Sequence, residues 1–230
     1  MKRRGVVVTV GLALLAAAAG VSVPGCGSGG DPNVVRIVSS LPRTGSAQGQ
    51  TDTMVNGIRL AIDEYGGTVA GLRVDYLDWD DATAGAGKWV AEAEGANAQK
   101  ATADPDVVAY IGPYNSGAAM VSAPILNTAG LVQVSPAVTW PGLTKPVPGG
   151  DPSEPGVCPN DNIQGPLSAV FAKEELGVKS VYILDDKELY GEGIAKLFGQ
   201  KAKELGINVL GHESIVVTQQ DYAPLMTKIK

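Results

Sequence analysis

The residues of this sequence that could do chemistry stand where apolar runs end. The run "VVAY" is followed by "IGPYNSGAAM", which places Ser116 directly before a small-residue segment that begins at Gly117. Ser116 is not expected to act as a nucleophile, because the chain contains one histidine and no base stands beside the serine. A hydroxyl at a helix start, next to free backbone amides, is suited instead to holding an anion such as a carboxylate.

Helix capping is an alternative role for Ser116. A serine at a helix start commonly accepts a hydrogen bond from an amide of the first turn, and this alone would explain the residue. Thr139 in "SPAVTWPG" favours the ligand interpretation, because two hydroxyls and several main-chain groups could then meet at one small molecule. A third segment, "DDKELYGEG", follows a strand in the second half. All three stand at the carboxyl ends of predicted strands, where α/β proteins bind ligands.

Other candidates for chemistry are weaker. "DWDDAT" brings together Asp78, Asp80 and Asp81, which could hold a metal ion, but aspartates at a strand end more often form turns or cap helices. "GEG" at 191–193 lacks the third glycine of a dinucleotide-binding fingerprint. A single histidine allows no catalytic triad, and the sequence has no G-x-S-x-G elbow. We therefore predict a protein that binds rather than catalyses, with no cofactor and no metal.

An alternation of short β-branched runs with amphipathic helices positions these strand ends. In the first half the pattern predicts strands at 34–41, 72–80, 106–112 and 131–136, and helices at 51–67, 87–101 and 117–130. In the second half it predicts strands at 178–186 and 207–217, and helices at 164–177, 190–206 and 221–230. Strands that alternate with helices of this length indicate an α/β fold with parallel sheets flanked by helices.

A Pro-rich segment at 140–162 divides the chain. It carries six prolines between Pro141 and Pro159, too many for a helix or a central strand, and is a disordered insertion, a crossover between lobes, or both. We predict a first α/β lobe at 34–162 that includes this segment, and a partial second lobe at 163–230. Two strands are too few for an independent covered sheet. The sequence is therefore interpreted as the N-terminal part of a longer protein. If these 230 residues are expressed alone, we expect the backbone amides of the second lobe to be poorly protected from hydrogen exchange.

The first 26 residues have the layout of an export signal. The basic stretch "KRR" precedes an apolar run at 5–23, and "VPGC" follows. A membrane-spanning helix is the alternative, since the run is nearly long enough, but it explains neither the cysteine nor the flexible "GSGGDP" behind it. "VPGC" resembles a bacterial lipobox. The resemblance implies a lipoprotein signal peptide at 1–26, lipidation at Cys26, a flexible linker at 27–33, and a location on the outer face of the cytoplasmic membrane or in the periplasm.

Charge and cysteine content narrow the possible partners and cross-links. The formal net charge is −6 and becomes −9 once the three basic residues of the leader are removed. Nucleic acids are not expected as partners, because phosphate binding needs clustered lysines and arginines. With Cys26 assigned to lipid, Cys158 has no partner for a disulfide. We interpret Cys158 as an incidental loop residue, although a reactive thiol is the alternative.

Three stretches together carry a resemblance to a known family. They read "YIGPYNSGAAMVSAPILNTAGLVQVSPAVTWPGLT", "QGPLSAVFAKEELGVKSVYILDDKELYGEGIA" and "DYAPLMTKIK". They resemble the type I periplasmic binding proteins of the leucine/isoleucine/valine group, which are two-lobed substrate-binding proteins of ABC importers. The resemblance covers Val34 to Lys230. It implies a ligand held between two α/β lobes that are joined by three crossing segments and close about a hinge.

The resemblance also implies a ligand site. Ser116 matches the serine that holds the α-carboxylate of the ligand, while Ala137 and Thr139 match the carbonyl and hydroxyl that complete the contacts to the carboxylate and the α-ammonium group. The other matching positions are Tyr114 and Asn115 on the wall beside the serine, Gln50 at an often aromatic position, and Tyr190 from the second lobe. Loop-bridging cysteines of some relatives are absent, and Asn115 stands at one of their places. Family residues that meet the ammonium group from the second lobe lie beyond Lys230.

These inferences predict an exported, lipid-anchored protein that binds a small zwitterionic solute, in the first instance an amino acid, and delivers it to the permease subunits of an ABC importer. Three alternatives stay open. A ligand-sensing domain of a receptor shares the fold. An exported α/β enzyme would require a nucleophile and base that the sequence does not supply. The third alternative is a member of the same family that binds amides, urea or aromatic acids.

We expect Cys26→Ala to release the protein from membranes, because two acyl chains on one residue give stable anchoring and their loss leaves none. Membrane fractionation of the variant and the parent protein measures the release. Mass spectrometry of the parent protein should show a mature N-terminus at a diacylated Cys26. An intact leader, or cleavage at another residue, would rule out the lipobox.

Overall fold

The computed structural model describes residues 30–145, 157–216 and 219–229, which contain three β-sheets. One sheet has five strands from the first half, one is a two-stranded hairpin within that half, and one has two strands from the second half. In chain order the strands are β1 (Val34–Leu41), β2 (Thr68–Val69), β3 (Leu72–Asp80), β4 (Ala82–Thr83), β5 (Lys88–Trp89), β6 (Val107–Ile111), β7 (Val132–Val134), β8 (Ser180–Asp185) and β9 (Asn208–Ser214).

Helices connect these strands, so the predicted α/β class is confirmed. Within the described residues, none of the helices has both the length and the apolar character needed to span a bilayer. The helices are α1 (Gln48–Glu64), α2 (Ala91–Ala103), α3 (Ser116–Thr128), α4 (Asp161–Glu174), α5 (Leu189–Glu204) and α6 (Ala223–Ile229).

Three predicted helix starts are wrong by three or four positions. The helix predicted from 51 begins at Gln48, because the Thr51 amide already donates to the Ala47 carbonyl at 3.1 Å. The helix predicted from 87 begins at Ala91, because residues 88–89 form β5 and pair with β4, in strands too short to leave a periodic pattern. The helix predicted from 164 begins at Asp161, because the Asn160 side chain accepts a hydrogen bond from an amide of the first turn at 3.1 Å. The Pro-rich segment therefore ends before 162.

Part of the predicted domain organisation lies outside the described residues. This applies to the leader at 1–26 with Cys26, to 27–29 of the linker, and to 146–156 of the Pro-rich segment. The lipid anchor and the nature of that segment stay predictions.

Parallel pairing directs the ends of three strands to one edge of the main sheet. The strand order is β2-β3-β1-β6-β7. β1 is parallel to β3 and β6, and β6 is parallel to β7, while the short β2 is antiparallel to β3. The connections that follow β1, β6 and β7 therefore start side by side, and they lead to α1, to α3 and to the loop that contains Thr139.

The core lies between the main sheet and the helices α2 and α3. Val38 and Tyr110 from the sheet pack with Ala98 of α2 and Leu126 of α3, and all four are inaccessible to solvent. Burying a side chain such as valine or leucine stabilises a fold by about 1.5–3 kcal/mol. The second half has a smaller cluster of the same kind, formed by Ala169, Ala202 and Ile207.

β6 ends where the chain approaches β1 too closely for a side chain. Gly112 has a φ of +134°, and a Cβ built on it would lie 2.3 Å from the carbonyl oxygen of Ser40. The Gly112 amide donates to the Val134 carbonyl at 2.8 Å, which fastens this point to β7. Pro113 follows and has no amide to extend the ladder. The Gly-Pro pair thus ends the strand and directs the chain toward α3.

Two buried carboxyl groups lie beside this end of the sheet. Glu94 on α2 accepts hydrogen bonds from the hydroxyls of Ser40, at 2.6 Å, and Tyr110, at 3.0 Å. Asp81 is also inaccessible, and neither of its carboxylate oxygens has a hydrogen-bond partner among the described residues. Burial, and then the neighbouring carboxylates of Glu94 and Asp80, raise the pKa of Asp81 to about 8. Asp81 is therefore largely protonated at neutral pH.

We expect Asp81→Asn to stabilise the fold increasingly as the pH rises. The folded-state pKa of Asp81 lies above the ordinary 3.8, so the proton-linked stability is fully present below that value and is lost as the pH rises through about 8. Asparagine carries no such penalty. The difference in unfolding free energy between variant and parent should grow by about 1.4 kcal/mol per pH unit across this window.

Urea unfolding at a series of pH values measures this difference. Asp63→Asn, at an exposed position of α1, is the matched control and should leave the slope unchanged. Parallel curves for Asp81→Asn and the parent protein would show that Asp81 is ionised in the fold.

Candidate functional site

The start of α3 presents three backbone amides at the carboxyl end of β6. The first amide to bond within the helix is that of Ala119, which donates to the Asn115 carbonyl at 3.1 Å. The amides of Ser116, Gly117 and Ala118 therefore have no intrahelical acceptor. Asn115 is the N-cap residue, and its side chain makes no capping hydrogen bond. The positive end of the helix dipole is thus open to an anion.

Ser116 is the first helical residue, so the capping role considered for it is wrong. The residue is 2% exposed, and its hydroxyl oxygen has no hydrogen-bond partner among the described residues. A buried polar group without a partner costs roughly 1–3 kcal/mol. The local structure therefore does not explain why a hydroxyl is buried at this position, whereas a bound ligand that forms a hydrogen bond with it would.

The loop after β7 holds Thr139 beside this helix start. The Ser135 hydroxyl donates to the Pro113 carbonyl at 2.8 Å and accepts from the Val138 amide at 2.8 Å. The Thr139 carbonyl accepts from the Asp161 amide at 2.9 Å. The Thr139 hydroxyl is buried and, like that of Ser116, has no partner among the described residues.

A cavity of about 330 Å³ opens between these groups and the start of α5. It brings together six of the predicted site residues, namely Tyr114, Asn115, Ser116, Ala137, Thr139 and Tyr190. The other lining residues are Pro136, Cys158 and Gln164. Gln50 is not among them, because it is exposed on α1 and accepts a hydrogen bond from the Tyr114 hydroxyl. Gln50 is therefore linked to the cavity through Tyr114.

The second wall of the cavity comes from α4 and α5. Tyr190 lies in the first turn of α5, and its hydroxyl accepts a hydrogen bond from the Gln164 side chain at 3.1 Å. Burial, and to a lesser extent the nearby Tyr190, raise the pKa of Tyr114. The Tyr114 hydroxyl therefore stays protonated at neutral pH and can donate.

Asp161 is a polar residue near the site that sequence reasoning missed. It begins α4, is inaccessible to solvent, and has no hydrogen-bond partner among the described residues for either carboxylate oxygen. Burial raises its pKa, and the nearby Thr139 hydroxyl opposes that shift without reaching hydrogen-bond geometry. In the sequence, Asp161 is visible only as an acidic residue at a helix start, which is a common feature. It points to a site only when the structure shows that Thr139 lies beside it.

The aspartates of "DWDDAT" have different roles. Asp80 accepts hydrogen bonds from the amides of Arg43 and Ala82, both at 2.8 Å, so the turn role is confirmed for it. Asp78 forms an ion pair with Arg43 at 3.1 Å. In the part of the chain that the structure describes, no three His, Cys, Asp or Glu side chains are grouped to hold a metal ion.

A larger groove of about 690 Å³ lies between α1 and the other face of the sheet. Its lining is almost entirely apolar and includes Val35, Ile37, Ile58 and Ile62. The groove lies on a sheet face rather than at the carboxyl ends of the strands, and it contains none of the unpartnered polar atoms. We therefore regard it as a packing surface, and the smaller cavity as the candidate site.

Comparison with known proteins gives one family and several similar structures. Residues 34–230 match the family described as periplasmic binding protein. The Leu/Ile/Val-binding protein BraC3 of Rhizobium johnstonii is 29% identical over 191 residues, which cover 82% of this chain and 49% of that protein. The crystal structure of a leucine-binding protein from Thermotoga maritima has a TM-score of 0.74 at 29% identity, covering 84% of this chain and 52% of that one.

A solute-binding protein from R. palustris in complex with 4-hydroxybenzoate also has a TM-score of 0.74, at 20% identity, and the match covers 85% of this chain and 50% of that one. At this identity the similarity shows the fold alone. The chain spans about half the length of the relatives it matches.

Cys158 offers a chemical probe of the cavity. Its side chain lines the cavity and lies 3.6 Å from the Val138 carbonyl. Burial, and secondarily Asp161, raise the pKa of the thiol, so alkylation should be slow at neutral pH and faster in alkaline buffer. We expect a solute bound in the cavity to slow this reaction further.

The experiment follows iodoacetamide labelling of Cys158 by peptide mass spectrometry, with and without L-leucine. Labelling in urea is the control and should proceed at the same rate in both samples. A ligand that binds tightly without slowing the labelling would occupy another site.

Proposed function

Because the chain belongs to the periplasmic binding protein family over residues 34–230, we propose that it binds a small amino acid between two lobes and delivers it to the permease subunits of an ABC importer. The observation that carries the proposal is the pair of buried hydroxyls, Ser116 and Thr139, which lack partners beside the open start of α3. A cavity of about 330 Å³ lies at the small end of the range for ligand sites, which suits a solute of this size.

The ligand carboxylate would bind at the start of α3. The amides of Ser116, Gly117 and Ala118 supply donors, the Ser116 hydroxyl supplies one more, and the helix dipole favours the negative charge. Hydrogen bonds to a charged group are stronger than those between neutral groups. Binding would also satisfy the hydroxyl that the fold leaves without a partner.

The ligand ammonium group would bind on the Thr139 side. The Ala137 carbonyl and the Thr139 hydroxyl can accept from it. The buried Asp161 does not line the cavity but is tied to Thr139, whose carbonyl accepts from the Asp161 amide at 2.9 Å. Burial raises the pKa of Asp161 in the free protein, and a nearby cation would lower it again. An amino acid would therefore bring a positive charge to the Thr139 side of the cavity, near a carboxylate that has no partner among the described residues.

An amino acid of the leucine type is supported by the names of the relatives, which are a Leu/Ile/Val-binding protein and a leucine-binding protein. An aromatic carboxylic acid is the second candidate, because the rings of Tyr114 and Tyr190 line the cavity and the helix start accepts any carboxylate. Such an acid has no ammonium group to bind on the Thr139 side. The comparison of L-leucine with 4-hydroxybenzoate therefore separates the two candidates.

Export and anchoring complete the proposal. The "VPGC" sequence supports attachment to the outer face of the cytoplasmic membrane through Cys26, and the family supports an extracytoplasmic location. We assign no catalytic role, because none of the residues that line the cavity is a histidine or lysine that could activate Ser116. The negative net charge gives no support for a nucleic-acid partner.

We expect Ser116→Ala to weaken binding of L-leucine by roughly 1–3 kcal/mol, the range for losing a hydrogen bond to a charged group. Thr139→Val should cost a similar amount, because it leaves the ammonium group short of an acceptor. Calorimetric titration of the full-length protein measures both effects. The same titration with 4-hydroxybenzoate should show a loss for Ser116→Ala and a smaller one for Thr139→Val if that acid is the ligand.

Thr128→Val is the matched control on the same helix. The Thr128 hydroxyl is exposed and donates to the Pro124 carbonyl at 2.7 Å, at the opposite end of α3 from Ser116. This variant removes one hydroxyl, as Thr139→Val does, and should leave affinity unchanged. If Ser116→Ala and Thr139→Val behave in the same way as the control, the site lies elsewhere. If the parent protein binds neither probe, the proposed function is wrong.

A further inference from the structure

The two-stranded hairpin at 82–89, here called the clamp hairpin, is a fixed part of the first half. β4 and β5 pair antiparallel within it. The Val90 amide donates to the Asp81 carbonyl at 2.8 Å and closes its base. The Ser46 amide donates to the Gly87 carbonyl at 3.2 Å and fastens its tip to the loop before α1. The hairpin is therefore held in place at its base and at its tip, and it can couple the positions of the elements that it contacts.

Trp89 places the clamp hairpin against one wall of the candidate site. A Cβ built on Gly117 would lie 2.6 Å from Cζ2 of the Trp89 indole, so the ring lies directly on the second residue of α3. Gly117 follows Ser116 in the chain. The indole thus supports the helix start whose amides would hold the carboxylate.

Lys88, the neighbouring residue, contacts the opposite wall. Its ammonium group forms an ion pair with Glu188, 100 residues further along the chain. Glu188 is the N-cap residue of α5 but makes no side-chain capping bond, so its carboxylate is directed to Lys88 instead. Tyr190 follows two residues later and lines the cavity.

We propose that Lys88 and Glu188 are positioning residues that form a closure latch: the clamp hairpin holds the start of α5, and with it Tyr190, against the Ser116 side of the cavity. Neither residue lines the cavity, so the latch acts through Tyr190. The inference rests on the proposed function in one respect, which is that a solute is enclosed when the walls come together.

The latch should set affinity through the population of the closed arrangement. The ion pair exists only when the two walls are close, so it stabilises that arrangement relative to an open one. Apparent affinity scales with the fraction of protein that is closed. The side chains of Lys88 and Glu188 are 41% and 28% exposed, so the contribution is modest and is weakened by salt.

The test titrates L-leucine, and 4-hydroxybenzoate in parallel, into the full-length protein and its variants Lys88→Gln, Glu188→Gln and the double variant. Each single substitution should raise the dissociation constant by about two- to fivefold, and the double variant should be no worse than the singles. Lys201→Gln is the matched control, because Lys201 pairs with Glu204 at 3.0 Å on α5 itself and should leave affinity unchanged.

Salt dependence supplies a readout that a purely structural role would not move. L-Leucine carries no net charge, so its own long-range attraction to the protein changes little with salt. Raising NaCl from about 0.05 M to about 0.5 M should therefore weaken binding by the parent protein more than by Lys88→Gln. Equal salt dependence in both proteins would overturn the latch.

A carbodiimide cross-link tests the contact directly, in samples with and without L-leucine. This reagent joins an ammonium group to a carboxylate only when the two are in contact, and peptide mass spectrometry should find Lys88 bonded to Glu188. Absence of the cross-link both with and without solute would overturn the latch, as would a cross-link accompanied by unchanged affinity in all variants. A cross-link in a parent protein that binds neither probe would instead overturn the proposed function and, with it, the role of the latch in closure.

Discussion

The contact between Gly112 and the Ser40 carbonyl is the constraint on which the candidate site depends. It requires a residue without a side chain, at a φ of +134°, where the chain leaves β6 beside Ser40 of β1. The Gln133 side-chain amide donates both to the Gly112 carbonyl and to the Ser122 hydroxyl of α3, each at 3.1 Å, so the helix is tied to the same point. The position of the helix start therefore follows from the geometry of the sheet rather than from the loop alone.

Buried polar atoms without partners in the described part of the chain concentrate near this edge. Asp81 avoids burying a negative charge by keeping its proton, because burial and the neighbouring carboxylates raise its pKa. The hydroxyls of Ser116 and Thr139 are already neutral, so a change of protonation cannot offset the cost of their missing hydrogen bonds. Natural folds rarely retain groups of this kind without a reason. The cost of leaving them unbonded is recovered when a polar solute supplies the missing partners, which is how a site can be less stable when empty than when filled.

Most of the fold could be predicted from the sequence, because long β-branched runs and amphipathic helices leave a periodic pattern. Strands such as β1 and β3 have the predicted ends. The hairpin formed by β4 and β5 could not be predicted in this way, because strands of two residues contain no period.

The candidate site could be predicted in part for a related reason. Tyr114, Ser116 and Thr139 follow strands, and the parallel arrangement brings such positions together. Asp161 follows a Pro-rich segment whose sequence predicts no regular element, and its approach to Thr139 is a tertiary contact with no local signal. The exposure of Gln50 likewise depends on how α1 is tilted over the sheet, which residue spacing does not determine.

The protonated Asp81 also makes folding a proton-uptake reaction. A carboxyl with an ordinary value of 3.8 is ionised in the unfolded chain at neutral pH, whereas the folded chain holds its proton because the pKa there is about 8. Each molecule that folds near pH 7 must therefore take about one proton from the buffer at this residue. The heat measured on folding consequently includes the ionisation heat of that buffer, so enthalpies obtained in phosphate and in Tris will differ although the protein and its contacts are the same.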